Sequence, residues 1–193
     1  IKAMLEVSFF PGASAISAFR RDRLLSALNG ADIPARSLSC SWAYLVYPRP
    51  VQLVAGSSSK QVSLSVYEEL APLLDLQGTG FSAAAGDCLR LWVFPRHGTL
   101  SPWASKALDI VQRCGLTPLN RLERGVCFDL QFGKQLSDQV IQGLQAFIQS
   151  EKGQGLFFDR MTEEVFFNEP PLHLVEQPSV KPLEMIELSG DSN

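Results

Sequence analysis

The sequence is poor in everything that would make a self-contained catalytic centre easy to find. It has two histidines, His97 and His173, and four cysteines, Cys40, Cys88, Cys114 and Cys127. No two cysteines form a CxxC pair and neither histidine stands near a suitable pair, so no metal site is expected. A cysteine nucleophile needs a histidine partner, and nothing singles out such a pair. The GxxxxGK[ST] spacing of a nucleotide P-loop is missing. No apolar run approaches the roughly 18 residues a membrane helix needs, and no cleavable signal pattern is read at the N-terminus. With 17 Lys and Arg against 20 Asp and Glu, a net charge of −3 and no basic block, nucleic acid is disfavoured as the main partner.

What is present fits a globular chain. At 193 residues, 46% hydrophobic and 19% charged, it can bury a core and form one domain, or one domain plus a linker. Most of the cysteines fall on expected strands or a helix end, where reduced, buried thiols suit a cytosolic protein.

The punctuation predicts β-α-β-α, twice. Residues 4–10 alternate Leu5, Val7 and Phe9 against Met4, Glu6 and Ser8, which suits a half-buried strand broken by Pro11-Gly12. Ser14 or Ser17 can cap a helix carrying Ile16, Phe19, Leu24, Ala27 and Leu28 and stopping at Gly30. A strand over 36–47 puts Leu38, Cys40, Trp42, Tyr44 and Val46 on one face, and Pro48 and Pro50 end it. A loop at 55–60, a helix near 65–75 and a flexible connection over 78–86 follow. Residues 88–94 are a strand. Ser101 caps the next helix, with Pro102 at its first position and Trp103, Ala107, Ile110, Val111 and Cys114 as its apolar stripe. A strand over 122–132 points Val126, Phe128, Leu130 and Phe132 inward, and Ser137 caps a last helix. Phe10-Pro11 sits 84 positions before Phe94-Pro95, and each pair ends a strand and leads through a serine to a helix. This reads as an α+β fold with an internally duplicated unit over 1–155, in halves of about 1–80 and 86–155. Residues 157–167 have a helical look; prolines then divide the rest, so 156–193 reads as a linker and the chain as a piece of a longer one.

The polar residues concentrate between Phe94 and Arg124. Arg96, His97, Gly98, Thr99 and Ser101 could form an anion or phosphate seat at a helix start, or merely a solvated loop with a capping serine. Ser105, Lys106 and Asp109 form a polar helix face, and Trp103 beside them is a core or interface residue. Arg121, Glu123 and Arg124 lie at the start of a strand. Arg121 and Glu123 share a side, and an exposed ion pair there would contribute about 0–1 kcal/mol.

GTLSPWASKALDI (98–110) and CGLTPLNRLERGV (114–126), with SAFRRDRLLSAL and RMTEEVFF, resemble the N-terminal domain of the large form of formylglycinamidine ribonucleotide synthetase, a glutamine-dependent amidotransferase of purine synthesis. The resemblance implies a fold similar to a fused dimer of the small subunit of the split enzyme. It implies an assembly domain that packs between synthetase and glutaminase domains of the same chain and helps form the route for ammonia. ATP and magnesium are implied for the whole enzyme, and no cofactor and no catalytic residue for this fragment. Arg96, Thr99, Ser101, Trp103, Ser105, Lys106, Asp109, Arg121, Glu123 and Arg124 are then the residues expected at the interface or near substrate. The alternative is a stand-alone phosphate-ligand-binding or adaptor protein reusing the fold.

Overall fold

A computed structural model describes residues 7–49, 59–116 and 119–175. The elements run β1 (Ser8–Ser14), α1 (Ala18–Asn29), β2 (Ser37–Pro48), α2 (Ser59–Leu74), β3 (Cys88–Pro95), α3 (Pro102–Arg113), β4 (Leu119–Gln131), α4 (Asp138–Gln149), α5 (Glu151–Phe157) and β5 (Glu163–Phe167), then a 3-10 turn at Leu172–Val175. The five strands form one antiparallel sheet in the order β1-β2-β4-β3-β5. The fold is α+β.

The period of two decides which residues meet which layer. Leu38, Cys40, Trp42, Tyr44 and Val46 of β2 share a face with Leu89, Leu91 and Val93 of β3 and with Leu122, Arg124, Val126 and Phe128 of β4. All five helices pack on this face, in two groups. Leu24 and Leu28 of α1, Leu144 and Ile148 of α4 and Phe157 of α5 cover one end. Val66 and Leu70 of α2 and Val111 of α3 cover the other. The opposite face carries Phe9, Ala43, Leu45, Trp92, Phe94, Cys127 and Phe166, covered by Phe81 and Leu174.

That second face has its own fastening. The Arg90 guanidinium grips Asp129 with both forks, Nε to Oδ1 at 2.6 Å and Nη2 to Oδ2 at 2.9 Å. Its Nη1 donates to the Ser82 carbonyl at 2.6 Å, and the group lies 5.3 Å from the Phe81 ring. The 78–86 segment, expected as a flexible connection, is thereby held across the sheet.

Several sequence expectations shift. The strand expected to break at Pro11-Gly12 continues through it to Ser14, with a bulge between Pro11 and Ser14. β1 is an edge strand, so the missing proline N–H need not interrupt a ladder; residues 4–6 lie outside the described residues. The second helix starts earlier than expected, at Ser59, and carries Pro72 inside it. The helical reading of 157–167 is replaced by β5, which pairs with β3 through Trp92↔Phe166. The boundary placed after 155 falls inside α5, and Leu174, well beyond it, is fully buried; residues 176–193 of the expected linker lie outside the described residues. The apolar stripe of α3 is rotated, with Ala104 and Val111 buried but Ile110 and Cys114 exposed.

The two β-α-β-α runs meet along the β2–β4 ladder. Ser17 and Ser101, 84 positions apart, each accept a bond from the backbone N–H three residues on and cap helices of 12 residues. Trp42 and Val126, also 84 apart, pair directly in the central ladder. The outer ladders depart from strict repetition: Ser8 pairs with Val46, but Trp92 pairs with Cys127 rather than Leu130.

Two predictions follow from the packing. A Cβ at Gly125 would run into the Val93 carbonyl and the Phe94 ring. Gly125→Ala should cost about 1–3 kcal/mol in urea unfolding, as overpacking does; a stability unchanged from wild type would contradict this contact. All four cysteines are free thiols, with Cys40 and Cys127 buried and Cys114 exposed. Burial pushes the Cys40 thiol up to about 12, against a small opposing pull from Arg20. Burial also pushes Cys127 up. Native alkylation should therefore mark Cys114 first and reach Cys40 and Cys127 only on unfolding. Because the unfolded thiols ionise near pH 8.5 and the buried ones do not, stability should fall as pH rises above about 8.5. Rapid native labelling of Cys40, read by mass spectrometry, would contradict this.

Candidate functional site

The stretch Phe94–Arg124 returns on itself: the loop after β3 and the start of α3 lie against the first half of β4. Glu123 is the knot. Its side chain is 0% exposed, so its carboxylate must be satisfied by protein. Ser101 Oγ donates to Oε1 at 2.6 Å and the Arg124 backbone N–H donates to the same oxygen at 3.0 Å. The Ser101 N–H reaches Oε2 at 3.3 Å, and Arg121 Nη2 lies 3.8 Å from it. Ser101 Oγ also accepts from the Ala104 N–H at 3.0 Å, so one hydroxyl caps α3 and anchors it to β4. Arg121 extends the knot outward, donating from Nη2 to the Thr99 carbonyl at 2.9 Å and from Nη1 to the Leu174 carbonyl. The ion pair expected to be exposed is thus buried, and it ties together three segments: the entry to α3, β4 and the turn at Leu172–Val175.

Arg124 follows Glu123 in the strand and so faces the opposite side, toward the helices. Its guanidinium lies over two indoles, 4.3 Å from the Trp42 ring centre and 5.0 Å from that of Trp103. Trp103 in turn lies 5.8 Å from Tyr44. Burial pushes the Tyr44 phenol up, and the Arg124 charge works against it. This stack borders a cleft of about 1030 Å³ where the two helix groups part, walled by Ile16, Leu100, Phe158 and Met161 and also bordered by Arg20 and Arg160.

The expected site residues therefore divide. Thr99, Ser101, Trp103 and Arg124 border the cleft. Arg121 and Glu123 belong to the knot. Arg96 lies outside both, with Nε 4.0 Å from Glu164 Oε1. Asp109 pairs with Arg113 one turn on at 3.0 Å, on the wet face of α3. Ser105 Oγ donates to the Ser101 carbonyl at 3.4 Å, and Lys106 borders a separate apolar groove between α2 and α3. The anion seat expected at Arg96–Ser101 does not form as a cradle: the Thr99 hydroxyl donates to the Arg96 carbonyl at 2.6 Å, and Ser101 is taken up by Glu123. Sequence reasoning missed Trp42, Arg20 and Arg160. Trp42 carried one signal, its place on the inward face of its strand, but only the β2–β4 register puts it beside Arg124. Among the described residues no group of three or more His, Cys, Asp or Glu is placed to hold a metal, and no helix is long and apolar enough to cross a membrane.

The two capping serines offer an internal comparison. Ser17→Ala removes a cap alone and should cost about 0.5–2 kcal/mol. Ser101→Ala removes a cap and a bond to a buried carboxylate, and should cost about 2–4 kcal/mol. Urea unfolding of both variants checks the order; equal losses would mean that the Ser101–Glu123 bond contributes nothing.

The model of the formylglycinamide ribonucleotide amidotransferase N-terminal family matches residues 51–174, which includes all of β3, α3, β4 and β5 and therefore Glu123 with its partners and Arg124 with Trp103; Trp42 and Arg20 lie before it. The chain belongs to the formylglycinamide ribonucleotide amidotransferase N-terminal family.

Proposed function

We propose that this chain is the assembly domain of phosphoribosylformylglycinamidine synthase, the ATP- and glutamine-dependent ligase of purine biosynthesis. In this reading it acts in the cytoplasm, packs against synthetase and glutaminase domains of the same protein, and helps form the route by which ammonia passes between them. It is not catalytic alone. The synthetase domain would use ATP with magnesium. The observation that carries the reading is the family match over the whole Phe94–Arg124 signature.

Two features support it. The first is surface character. Leu73 of α2 is 51% exposed and Ile110 of α3 is 52% exposed, beside a groove bordered by Leu70, Trp103 and Lys106. Apolar side chains left open around a groove are what a neighbouring domain would cover. The second is the pseudo-repeat. A fused dimer of a small subunit would place two β-α-β-α units about the central ladder, with equivalent caps at Ser17 and Ser101 and the equivalent pair Trp42–Val126 at its middle.

The test uses the whole protein. Lys106→Ala and Arg124→Ala should each lower glutamine-dependent amidine formation more than glutamine hydrolysis, because the proposed role lies in coupling rather than in either reaction. Normal coupled activity in both variants would overturn the assignment of these residues. The 193-residue chain by itself should neither hydrolyse glutamine nor form the amidine; either activity would contradict an assembly role.

A further inference from the structure

We propose that the cleft between the two helix groups is a binding site for an organic oxyanion, a carboxylate or phosphate carried on a flat apolar body, with Arg124 as its anchor. Every residue it is argued from lies within this chain, so the proposal stands independently of the assembly role.

The case begins with the state of Arg124. Its Cζ lies over both the Trp42 and the Trp103 rings, 4.3 and 5.0 Å from their centres, so two indoles take up part of its hydration shell. What remains is the edge, where five N–H donors lie in one plane. Among the described residues no acceptor bonds that edge; the bond Arg124 makes to Glu123 comes from its backbone N–H. The neighbouring carboxylate cannot serve as counterion, because Glu123 projects from the opposite face of β4 and is committed to Ser101. A guanidinium held against two indoles with no acceptor on its N–H edge is preorganised for two parallel bonds to an oxyanion, because less side-chain freedom remains to be lost.

The surroundings set the class of ligand. Arg20 and Arg160 border the same cleft. The acids there are largely spoken for. Asp159 accepts from the Met161 N–H at 2.8 Å and the Thr162 hydroxyl at 3.0 Å, and Glu163 accepts from the Asp159 N–H at 2.8 Å. Glu151 is the remaining acid, at the start of α5. These carboxylates keep their charge, so with three arginines against three acids the lining is formally neutral, and the seat for an anion is the open edge of Arg124 rather than a basic field. A volume of about 1030 Å³ is far more than a lone ion fills, and it lies at the upper end of the roughly 300–1,000 Å³ typical of small-molecule sites. Leu100, 54% exposed, and Met161, 76% exposed, sit at the rim. With the indole of Trp103 and the ring of Phe158 they offer apolar surface to a planar body and nothing to a bare inorganic ion.

The three tryptophans make the test direct. Trp42 and Trp103 flank Arg124, whereas Trp92 is buried in the far face of the sheet. The 193-residue chain is titrated with phenyl phosphate, benzoate, inorganic phosphate and phenol, and the indole N–H resonances are followed by NMR. Saturable shifts of Trp42 and Trp103 with phenyl phosphate or benzoate, without a matching response to phenol, are expected, with Trp92 unmoved. Tighter binding of phenyl phosphate would identify a phosphate ligand, and tighter binding of benzoate a carboxylate; either supports the site. Arg124→Lys keeps the charge but loses the fork, and should weaken binding by about tenfold. Arg113→Ala, on the outer face of α3, should leave it unchanged. The proposal is overturned if neither organic oxyanion shifts Trp42 and Trp103. It is equally overturned if a folded Arg124→Lys variant binds as tightly as wild type, or if phenol produces the same shifts. Should Arg124→Lys not fold, the titration of the unaltered chain decides alone.

Discussion

A carboxylate with no access to water governs how this domain is held together. Glu123 sits in β4, the middle strand of the sheet, and both of its carboxylate oxygens must find donors among its neighbours. The donors come from the α3 cap, from the β4 backbone and, at longer range, from Arg121. Arg121 then holds the loop before α3 and the turn at Leu172–Val175 through their carbonyls. Three segments far apart in sequence, the entry to α3, β4 and the turn at Leu172–Val175, are positioned by one buried charge. An exposed pair of the same residues would contribute almost nothing.

That constraint also explains why the signature is so dense. Alternation along β4 sends Glu123 to one face and Arg124 to the other, so adjacent residues serve different purposes. The knot fixes where α3 begins. The beginning of α3 fixes Trp103, and Trp103 with Trp42 fixes Arg124. The open edge of Arg124 is therefore a consequence of interactions made on the opposite side of the sheet. A site built on a central strand and a capped helix is more rigid than one built on loops, which suits a residue meant to present a fixed plane of donors.

Local signals made much of this legible from the sequence. Ser17 and Ser101 announce their helices because capping depends on neighbours three residues away, and the alternation in β2, β3 and β4 marks the inward faces. The failures are cases where a distant partner decides. Ser137 precedes its helix as expected but makes no side-chain cap bond, whereas Ser150 caps α5 with its hydroxyl. Glu163–Phe167 has no strong strand pattern and becomes a strand because the edge of β3 is available to it. Pro11 is tolerated because β1 has a partner on one side only. Glu123 in the run Asn120-Arg121-Leu122-Glu123-Arg124 reads as surface, since nothing local reveals that a serine 22 positions earlier will cover it. The cleft was invisible for the same reason: Trp42 and Arg124 are neighbours only through the register of β2 on β4.

The central claim is that the signature divides into a knot that holds the fold and an arginine that the fold holds out for use. Equilibrium unfolding of two variants tests it most directly. Glu123→Ala leaves Arg121 without its partner in a buried setting and should cost about 3–5 kcal/mol. Arg124→Lys keeps a cation near the indoles and should cost no more than about 1 kcal/mol. Equal losses, or a greater loss for Arg124→Lys, would contradict the division.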